Sequence, residues 1–530
     1  MKDDDNIARA RPPGMRRSAL ASPTPLIASS LLGAATVFGF APFYLFPLPV
    51  ITLALLLGLW RNAESPRSAA ALGFAFGLGF FGTGVSWIYI SLHDFGGMPA
   101  AIAGIGTALL CAYMSLFPAA TGFLQAKLAS SNVVRFVLVT PALWAGADWL
   151  RSYLFTGFPW LTLGYSQVPA SPLAGFAPVF GVYGLSMLTA MSAGLLAWLY
   201  AEFISPRAGA PTLLRRARGG PGICAFFIVA LWPIGYALKQ IDWTQPIGEP
   251  LAVSLLQGNI AQELKWREDQ IDNTLRTYLD LVLASRARLI ILPEAALPLL
   301  RDRVPEQYLA RFAQHADQLG GDILIGLPEL EGIDYYNSVF SFGAAPTQVY
   351  RKSHLVPFGE FIPSGFDWVL RWLQIPMSNF SRGAEYQKPL AVAGQKVAVD
   401  ICYEDVFGEE IVRPLPEATL LVNVSNDAWF GDSLALMQHL QIAQTRAIET
   451  GRVMLRATNT GATAAIAPDG QLIALAPLSK KTALHVEVRG YAGATPYVRW
   501  GNSLVLAMVV ILLAISFAPA RALPAVGQKQ

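Results

Sequence analysis

Val397-Ala-Val-Asp-Ile-Cys402-Tyr403-Glu404 is a largely apolar, β-branched run that closes on a cysteine, a tyrosine and a carboxylate. Such runs form buried strands, and buried strands of this kind belong to sheets covered on both faces. Two neighbouring stretches have the same form. Leu289-Ile-Ile-Leu-Pro-Glu294 drives a carboxylate off the end of a hydrophobic segment. Val349-Tyr-Arg-Lys352 delivers an amine, and His354-Leu-Val-Pro-Phe-Gly-Glu360 brings a second carboxylate after it. The carboxyl edge of a sheet is where α/β proteins place chemistry. One charge after a strand is ordinarily a solvated turn residue. An acid, an amine and a thiol after three strands are a stronger signal.

Working outward from these runs, the sequence predicts strands over 251–256, 289–292, 323–326, 338–342, 349–351, 397–402, 419–424, 453–457 and 462–467. Helix-like stretches fall between them at about 263–285, 304–319, 406–413 and 434–450. Ala467-Pro-Asp-Gly470 is a turn between two strands. The expectation is a layered α/β domain.

The rest of the chain is different. Of 530 residues, 53% are apolar and 14% charged, and the mean hydropathy is +0.42. A soluble domain carries roughly 25% charged residues. Disorder, collagen-like repeats and a disulfide scaffold are excluded, and a net charge of +3 implies no nucleic-acid partner. Residues 240–499 hold 22 Lys and Arg against 29 Asp and Glu, while the flanks hold 17 against 7. The middle therefore reads as water-soluble and the flanks do not.

A helix crosses the hydrocarbon core with about 20 apolar residues. Seven candidates precede the soluble part, at about 25–42, 45–60, 70–92, 98–125, 134–154, 173–200 and 222–239, and one follows at about 501–519. Basic residues collect on the cytoplasmic side of membranes. Lys2, Arg9, Arg61, Arg67, Lys127, Arg135, Arg207, Arg215 and Arg521 fall on one side of these spans, and only Arg151 and Lys239 fall on the other. The N- and C-termini are then cytoplasmic and the soluble domain lies outside. The expected division is a tail at 1–24, a seven-helix transmembrane region at 25–240, the outer domain at 241–499, a last transmembrane helix at 500–520 and a tail at 521–530. The spans hold few ionisable groups, Asp148 and Arg151 among them, which argues against a transporter. Gly73, Gly77, Gly79, Gly82 and Gly84 are read as close-packing positions.

Cys111 and Cys224 lie inside spans, so Cys402 is left unpaired in the outer domain. His354, His439 and His315 lack ligand spacing, and no metal is expected. Phe358, Phe361, Trp368, Trp372, Trp429 and Phe430 are candidate apolar walls.

Pro293-Glu294, Arg351-Lys352 with Pro357-Phe-Gly-Glu360, and Ile401-Cys402-Tyr-Glu404 resemble the Glu-Lys-Cys constellation of the nitrilase, or carbon–nitrogen hydrolase, superfamily. Together with eight flanking spans and Ser425-Asn-Asp-Ala-Trp-Phe-Gly431, the chain is similar to that superfamily's membrane-embedded branch, the apolipoprotein N-acyltransferases. The resemblance implies an α-β-β-α sandwich on the periplasmic face of a bacterial inner membrane. It implies Glu294, Lys352 and Cys402 as a catalytic triad, supported by Trp266, Asn337, Glu360, Tyr403 and Glu404. It implies Trp429, Phe430, Phe358 and Asn426 on the substrate side, Trp429 and Phe430 as a mobile arm. The implied reaction moves an acyl chain from a phospholipid, typically phosphatidylethanolamine, to the amine of a diacylglyceryl-cysteine on an apolipoprotein, through a Cys402 thioester. No cofactor is expected, and a monomer is. The rival reading is a membrane-tethered amidase with the same triad.

Overall fold

The computed structural model describes residues 23–128, 131–201, 220–365 and 379–517. Trp368, Trp372 and the basic residues of both tails and of the 202–219 loop lie outside the described residues.

Helical stretches lie over the eight expected segments, and the one at 134–154 is a π-helix, Val134–Val139, followed by Thr140–Arg151. Ala100–Leu128 and Pro172–Leu199 are long and apolar enough to cross a membrane. Pro66–Gly84 and Ile88–Phe95 form a third candidate if read as one span, bent by 59°. Pro23–Gly39, Pro47–Arg61, Ile228–Leu238 and Ser503–Ser516 are shorter apolar helices. Ser65 starts the third helix by accepting the Ser68 N–H, with Pro66 in the first turn, where its missing donor is harmless.

Small residues set how closely these helices approach. A Cβ on Gly79 would collide with the Ser30 carbonyl of the first helix, and one on Gly73 or Gly77 with Pro118 or Ser115 of the 100–128 helix. Gly82 faces open space instead, so the close-packing reading fails there. The Asp148–Arg151 pair, 3.1 Å apart and buried, is structural. Arg151 donates to the Phe158 and Trp160 carbonyls, and Asp148 accepts from Leu163 N and Ser186 Oγ. Together they hold the irregular 157–163 segment over the end of the bundle.

The second part is a four-layer sandwich. One sheet has the order β12-β1-β2-β3-β4-β5, built from β1 (Thr244–Gln257), β2 (Leu289–Ile291), β3 (Asp322–Glu331), β4 (Asp334–Gly343), β5 (Val349–Arg351) and β12 (Thr482–Gly493). The other has the order β11-β10-β9-β8-β7-β6, from β6 (Leu390–Val392), β7 (Gln395–Ile401), β8 (Leu420–Ser425), β9 (Met454–Thr458), β10 (Ala464–Ile466) and β11 (Leu472–Leu475). In each sheet three strands run parallel, β1 to β3 and β7 to β9, so their carboxyl ends share an edge.

The inner faces meet through Val253, Leu255, Ile291 and Leu324 against Val399, Ile401, Val422 and Leu455. The outer face of the first sheet is covered by Glu268–Ala284 and Glu306–Gln318, through Tyr278, Val282, Leu309 and Phe312. The outer face of the second is covered by Ala435–Thr450, through Leu440, Ala443 and Ala447. The expected helix over 263–285 is broken at Trp266 and Arg267, because Lys265 turns inward. The stretch at 406–413 is only a 3₁₀ turn, Cys402–Val406, and one helical turn, Gly408–Ile411.

The 435–450 helix also sits on the bundle. Gln438 Oε1 accepts from Trp160 Nε1 at 2.7 Å, and Gln441 bonds Ala41 N and the Val168 carbonyl. Glu449 accepts from Val182 N at 2.7 Å. Gly181 takes φ +64 there, a left-handed bend open to glycine, and a side chain would strike the Tyr497 ring.

Candidate active site

Cys402 is the first residue after β7 and sits at φ +55, a strained conformation for a residue with a Cβ. The strand stops, the chain reverses into a 3₁₀ turn, and the thiol is presented at the sheet edge. Glu404 makes this possible. Its carboxylate accepts from Ile401 N at 2.7 Å on the cysteine side. It also accepts from Ser353 N at 2.7 Å, Ser353 Oγ, His354 N at 3.0 Å and Tyr350 Oη on the β5 side. One buried carboxylate thus locks the Cys402 turn to the loop that carries Lys352.

Lys352 is buried between two acids. Its Nζ lies 2.9 Å from Glu360 Oε1 and 3.4 Å from Glu294 Oε1. Asn337 spans the same pair, donating to Glu294 at 2.7 Å and to Glu360 at 2.9 Å. Glu294 Oε2 accepts from Asn426 N at 2.9 Å, and Glu360 Oε2 from Val356 N at 2.9 Å. Burial works against a charged Lys352, but Glu360 and Glu294 outweigh it and hold the amine above its ordinary range. Burial pushes the Cys402 thiol well up; Glu294 adds to this and Lys352 opposes it. The environment thus favours the protonated thiol, beside the hydrogen-bonded cluster of Glu294, Lys352 and Glu360.

The other expected residues are placed as follows. Tyr403 donates to the Gly157 carbonyl at 3.0 Å, tying the cysteine's neighbour to the bundle. Trp429 accepts at its carbonyl from Ser91 Oγ, and its ring meets Phe95 edge-on. Phe430 packs against Trp87 and Trp160, with centroids 4.6 and 6.1 Å away. Phe358 packs with Met98 and Leu92 at φ +62. Asn426 also donates to Gln262 and accepts from Asn459. Trp266 is half-buried at the end of the 262–265 turn.

Two groups escaped the sequence reading. Lys265 is buried, with Nζ donating to the Glu294 carbonyl at 3.2 Å. Burial draws its pKa down to about 8, while Glu294 and Cys402 oppose that fall. The second is a fully buried ion cluster behind the cysteine. His439 bonds Asp427 at 3.0 Å and Asp405 at 2.9 Å, and Arg456 bonds both acids. Arg456 also donates to Asn423, which donates to the Cys402 carbonyl. Burial and Arg456 oppose a charged His439, but the two acids outweigh them and push it up to about 9. Among the described residues no cluster of three or more potential ligands could hold a metal ion.

A thiol, a lysine and two glutamates at the shared carboxyl edge of two face-to-face sheets define a carbon–nitrogen hydrolase domain, and residues 252–497 match the family description "Carbon-nitrogen hydrolase". Residues 32–195 match "Apolipoprotein N-acyltransferase N-terminal domain". The chain is 54% identical over 492 residues to the apolipoprotein N-acyltransferase of Nitrosomonas europaea, covering 92% of this chain and 96% of that one. It is 45% identical to that of Chromobacterium violaceum, covering 90% of each, and 44% identical to that of Methylococcus capsulatus, covering 91% and 94%. The chain belongs to the apolipoprotein N-acyltransferase family.

Proposed function

We propose that this protein transfers a fatty acyl chain from a membrane phospholipid, phosphatidylethanolamine foremost, to the N-terminal amine of a diacylglyceryl-cysteine on an apolipoprotein. The observation that carries this reading is the convergence of Cys402, Glu294 and Lys352 at a sheet edge whose neighbouring residues, Tyr403 and Phe430, pack on an apolar helical bundle.

In the first half-reaction Cys402 Sγ attacks the ester carbonyl while its proton passes to Glu294. The raised thiol pKa makes the accepting carboxylate necessary, since only the ionised sulfur attacks. The tetrahedral oxyanion is met by Lys352 Nζ. That ammonium has three donors, and Glu360 and Glu294 occupy two, so one remains to aim at the oxyanion. One such donor contributes about 3–4 kcal/mol. The carbon–oxygen bond then breaks, and the proton on Glu294 goes to the departing lysophospholipid oxygen. In the second half-reaction the lipoprotein amine loses a proton to Glu294, attacks the thioester and expels the thiolate, which takes that proton back from Glu294. Glu360 and Asn337 keep Lys352 and Glu294 in register, Glu404 and Tyr403 fix the cysteine turn, and Trp266 borders the pocket. Trp429, Phe430, Phe358 and Asn426 line the way in and keep water from the thioester.

We further propose that eight helices cross the inner membrane of a bacterium, with both termini cytoplasmic and residues 241–499 periplasmic. Both substrates are lipids, and withdrawing an acyl chain from the bilayer costs about 0.8 kcal/mol per CH₂. An enzyme that holds its thiol beside the headgroups avoids that cost. The reading has the protein working as a monomer, without metal, cofactor or nucleic acid.

The test is intact mass of the purified protein after incubation with phosphatidylethanolamine vesicles. The expected result is a gain of one acyl chain on Cys402, discharged by a diacylglyceryl lipopeptide bearing a free amine. Release of free fatty acid with no lipopeptide product, or hydrolysis of small amides alone, would favour the amidase reading and overturn this one.

A further inference from the structure

Strand β11 is the outermost strand of its sheet, and its residues are unusual for an exposed edge. Leu472, Ile473 and Leu475 are 39%, 45% and 38% exposed, and Leu478 just beyond is 38% exposed. Edge strands in water are normally blunted with charge or proline, because an apolar open edge invites aggregation. Here charge only flanks the apolar run, as exposed Asp469 before it and exposed Lys480 and Lys481 after it.

Both ends of this strand lie against the apolar bundle. At its start, Asp469 is within electrostatic reach of Lys239, which follows the Gly220–Leu238 helix. Gly470 accepts at its carbonyl from Gln444 Nε2 at 2.8 Å, and the neighbouring Ile448 packs with Val168, Leu173 and Phe176 of the bundle. At its end, Leu478 lines a cleft with Pro42, Trp87, Ile90 and Met437. Pro42 sits in the turn between the first two helices, where Phe43 and Leu45 are also exposed. The strand therefore runs across helix ends at the level where the bundle gives way to the sandwich.

We propose that β11, with residues 478–481, is a monotopic contact with the surface of an anionic phospholipid bilayer. Leu472, Ile473, Leu475 and Leu478 enter the boundary between headgroups and acyl chains, and Lys480 and Lys481 face lipid phosphates. The pairing with β10 shifts register between Ala465 and Ile466, which puts a bulge at Leu472–Ala474, and Leu472, Ile473 and Leu475 are all exposed around it. A bulge interrupts the ladder that an added peptide strand would have to match, whereas a lipid surface needs no register and covers the exposed apolar side chains. The contact goes beyond the acyl-transfer chemistry: it fixes the roll of the sandwich about the bundle. It rests on the reading that the apolar helices span the membrane.

The test places a fluorescent amino acid, one position at a time, in the full chain reconstituted in phosphatidylcholine–phosphatidylglycerol vesicles. The positions are Ile473, Leu478, Leu109 within the 100–128 helix, and Gln318 on the far layer of the sandwich. Emission at 473 and 478 should be lost to lipids brominated near the headgroup and spared by aqueous iodide. Emission at 109 should be lost to deeply brominated lipids, and at 318 only to iodide. Iodide quenching at 473 and 478 with lipid quenching intact at 109 overturns the contact alone. Loss of lipid quenching at 109 overturns the spanning reading, and the contact with it. Energy transfer between two labelled copies at 473, without lipid quenching, would make β11 a self-pairing edge and overturn the lipid assignment. In K480S/K481S the lipid quenching at 473 should fall toward its level in pure phosphatidylcholine. An unchanged value would remove the lysines from the proposal.

Discussion

Glu404 accepts the backbone N–H of Ser353 at 2.7 Å while also accepting that of Ile401 at 2.7 Å, so one carboxylate spaces the amine-bearing loop from the cysteine turn. A glutamine there offers one acceptor oxygen to five donors. Glu404→Gln is expected to lose roughly 100-fold or more in acyl-enzyme formation, the scale of an ångström-sized misplacement. Intact-mass kinetics measures the rate, and retention of Lys352–Cys402 spacing in a crystal structure of the variant with full activity would refute the brace.

Cys402→Gly is expected to form no acyl adduct and yet be as stable as the parent, or more so. Glycine accepts φ +55 without the strain a Cβ brings, worth on the order of 1 kcal/mol. Thermal unfolding alongside mass spectrometry separates the two effects; a strong destabilisation would make the sulfur a packing element.

Lys352→Met removes the ammonium that bridges Glu294 and Glu360, leaving two acids held close together by Asn337. Folding and turnover should both suffer, by about 3–5 kcal/mol in stability. Acidification should restore stability, because protonating one carboxyl relieves the repulsion. Denaturant midpoints at pH 5 and pH 8 check this, and a variant equally unstable at both would contradict the cluster's charge assignment.

Lys265 should shape the pH profile. Its pKa of about 8 lies below its ordinary 10.5, chiefly through burial. Below about 8 its positive charge favours the Cys402 thiolate; above that pH the support is lost. The rate of acyl-enzyme formation should carry a descending limb near pH 8 that disappears in Lys265→Met. A limb that persists in the variant belongs to another group.

The His439 cluster should make stability fall with alkali. The folded pKa of about 9 exceeds the ordinary 6.5, because Asp405 and Asp427 outweigh burial and Arg456. The contribution is complete below about 6.5 and is lost as pH rises through about 9. The fall in melting temperature across that window should be shallower in His439→Gln than in the parent, and equal slopes would rule the cluster out as the cause.

What could be read from the residues was what lies along a strand. Glu294, Lys352 and Cys402 stand at the ends of apolar runs, and period and spacing locate them. Glu360 follows by proximity in the chain. Asn337 and Trp266 came only with the family resemblance, since one asparagine inside a strand carries no local signal. Lys265 lies inside the helix-like stretch expected over 263–285, and only its inward turn onto the Glu294 carbonyl gives it a role. The cluster of Asp405, Asp427 and Arg456 carries no local signal, because their burial is a long-range fact. Strand β12 was not anticipated: its alternating Thr482–Gly493 stretch pairs with β1 from the far end of the domain.

Every residue of the 435–450 helix except Met437 is buried, and Gln438, Gln441 and Glu449 spend their polar atoms on the bundle. A secreted fragment cut free before Thr244 would uncover these amides and acids together with the greasy residues between them. Crystallographers hoping for a tractable, detergent-free half-enzyme should therefore expect inclusion bodies: this sandwich has no waterproof underside of its own.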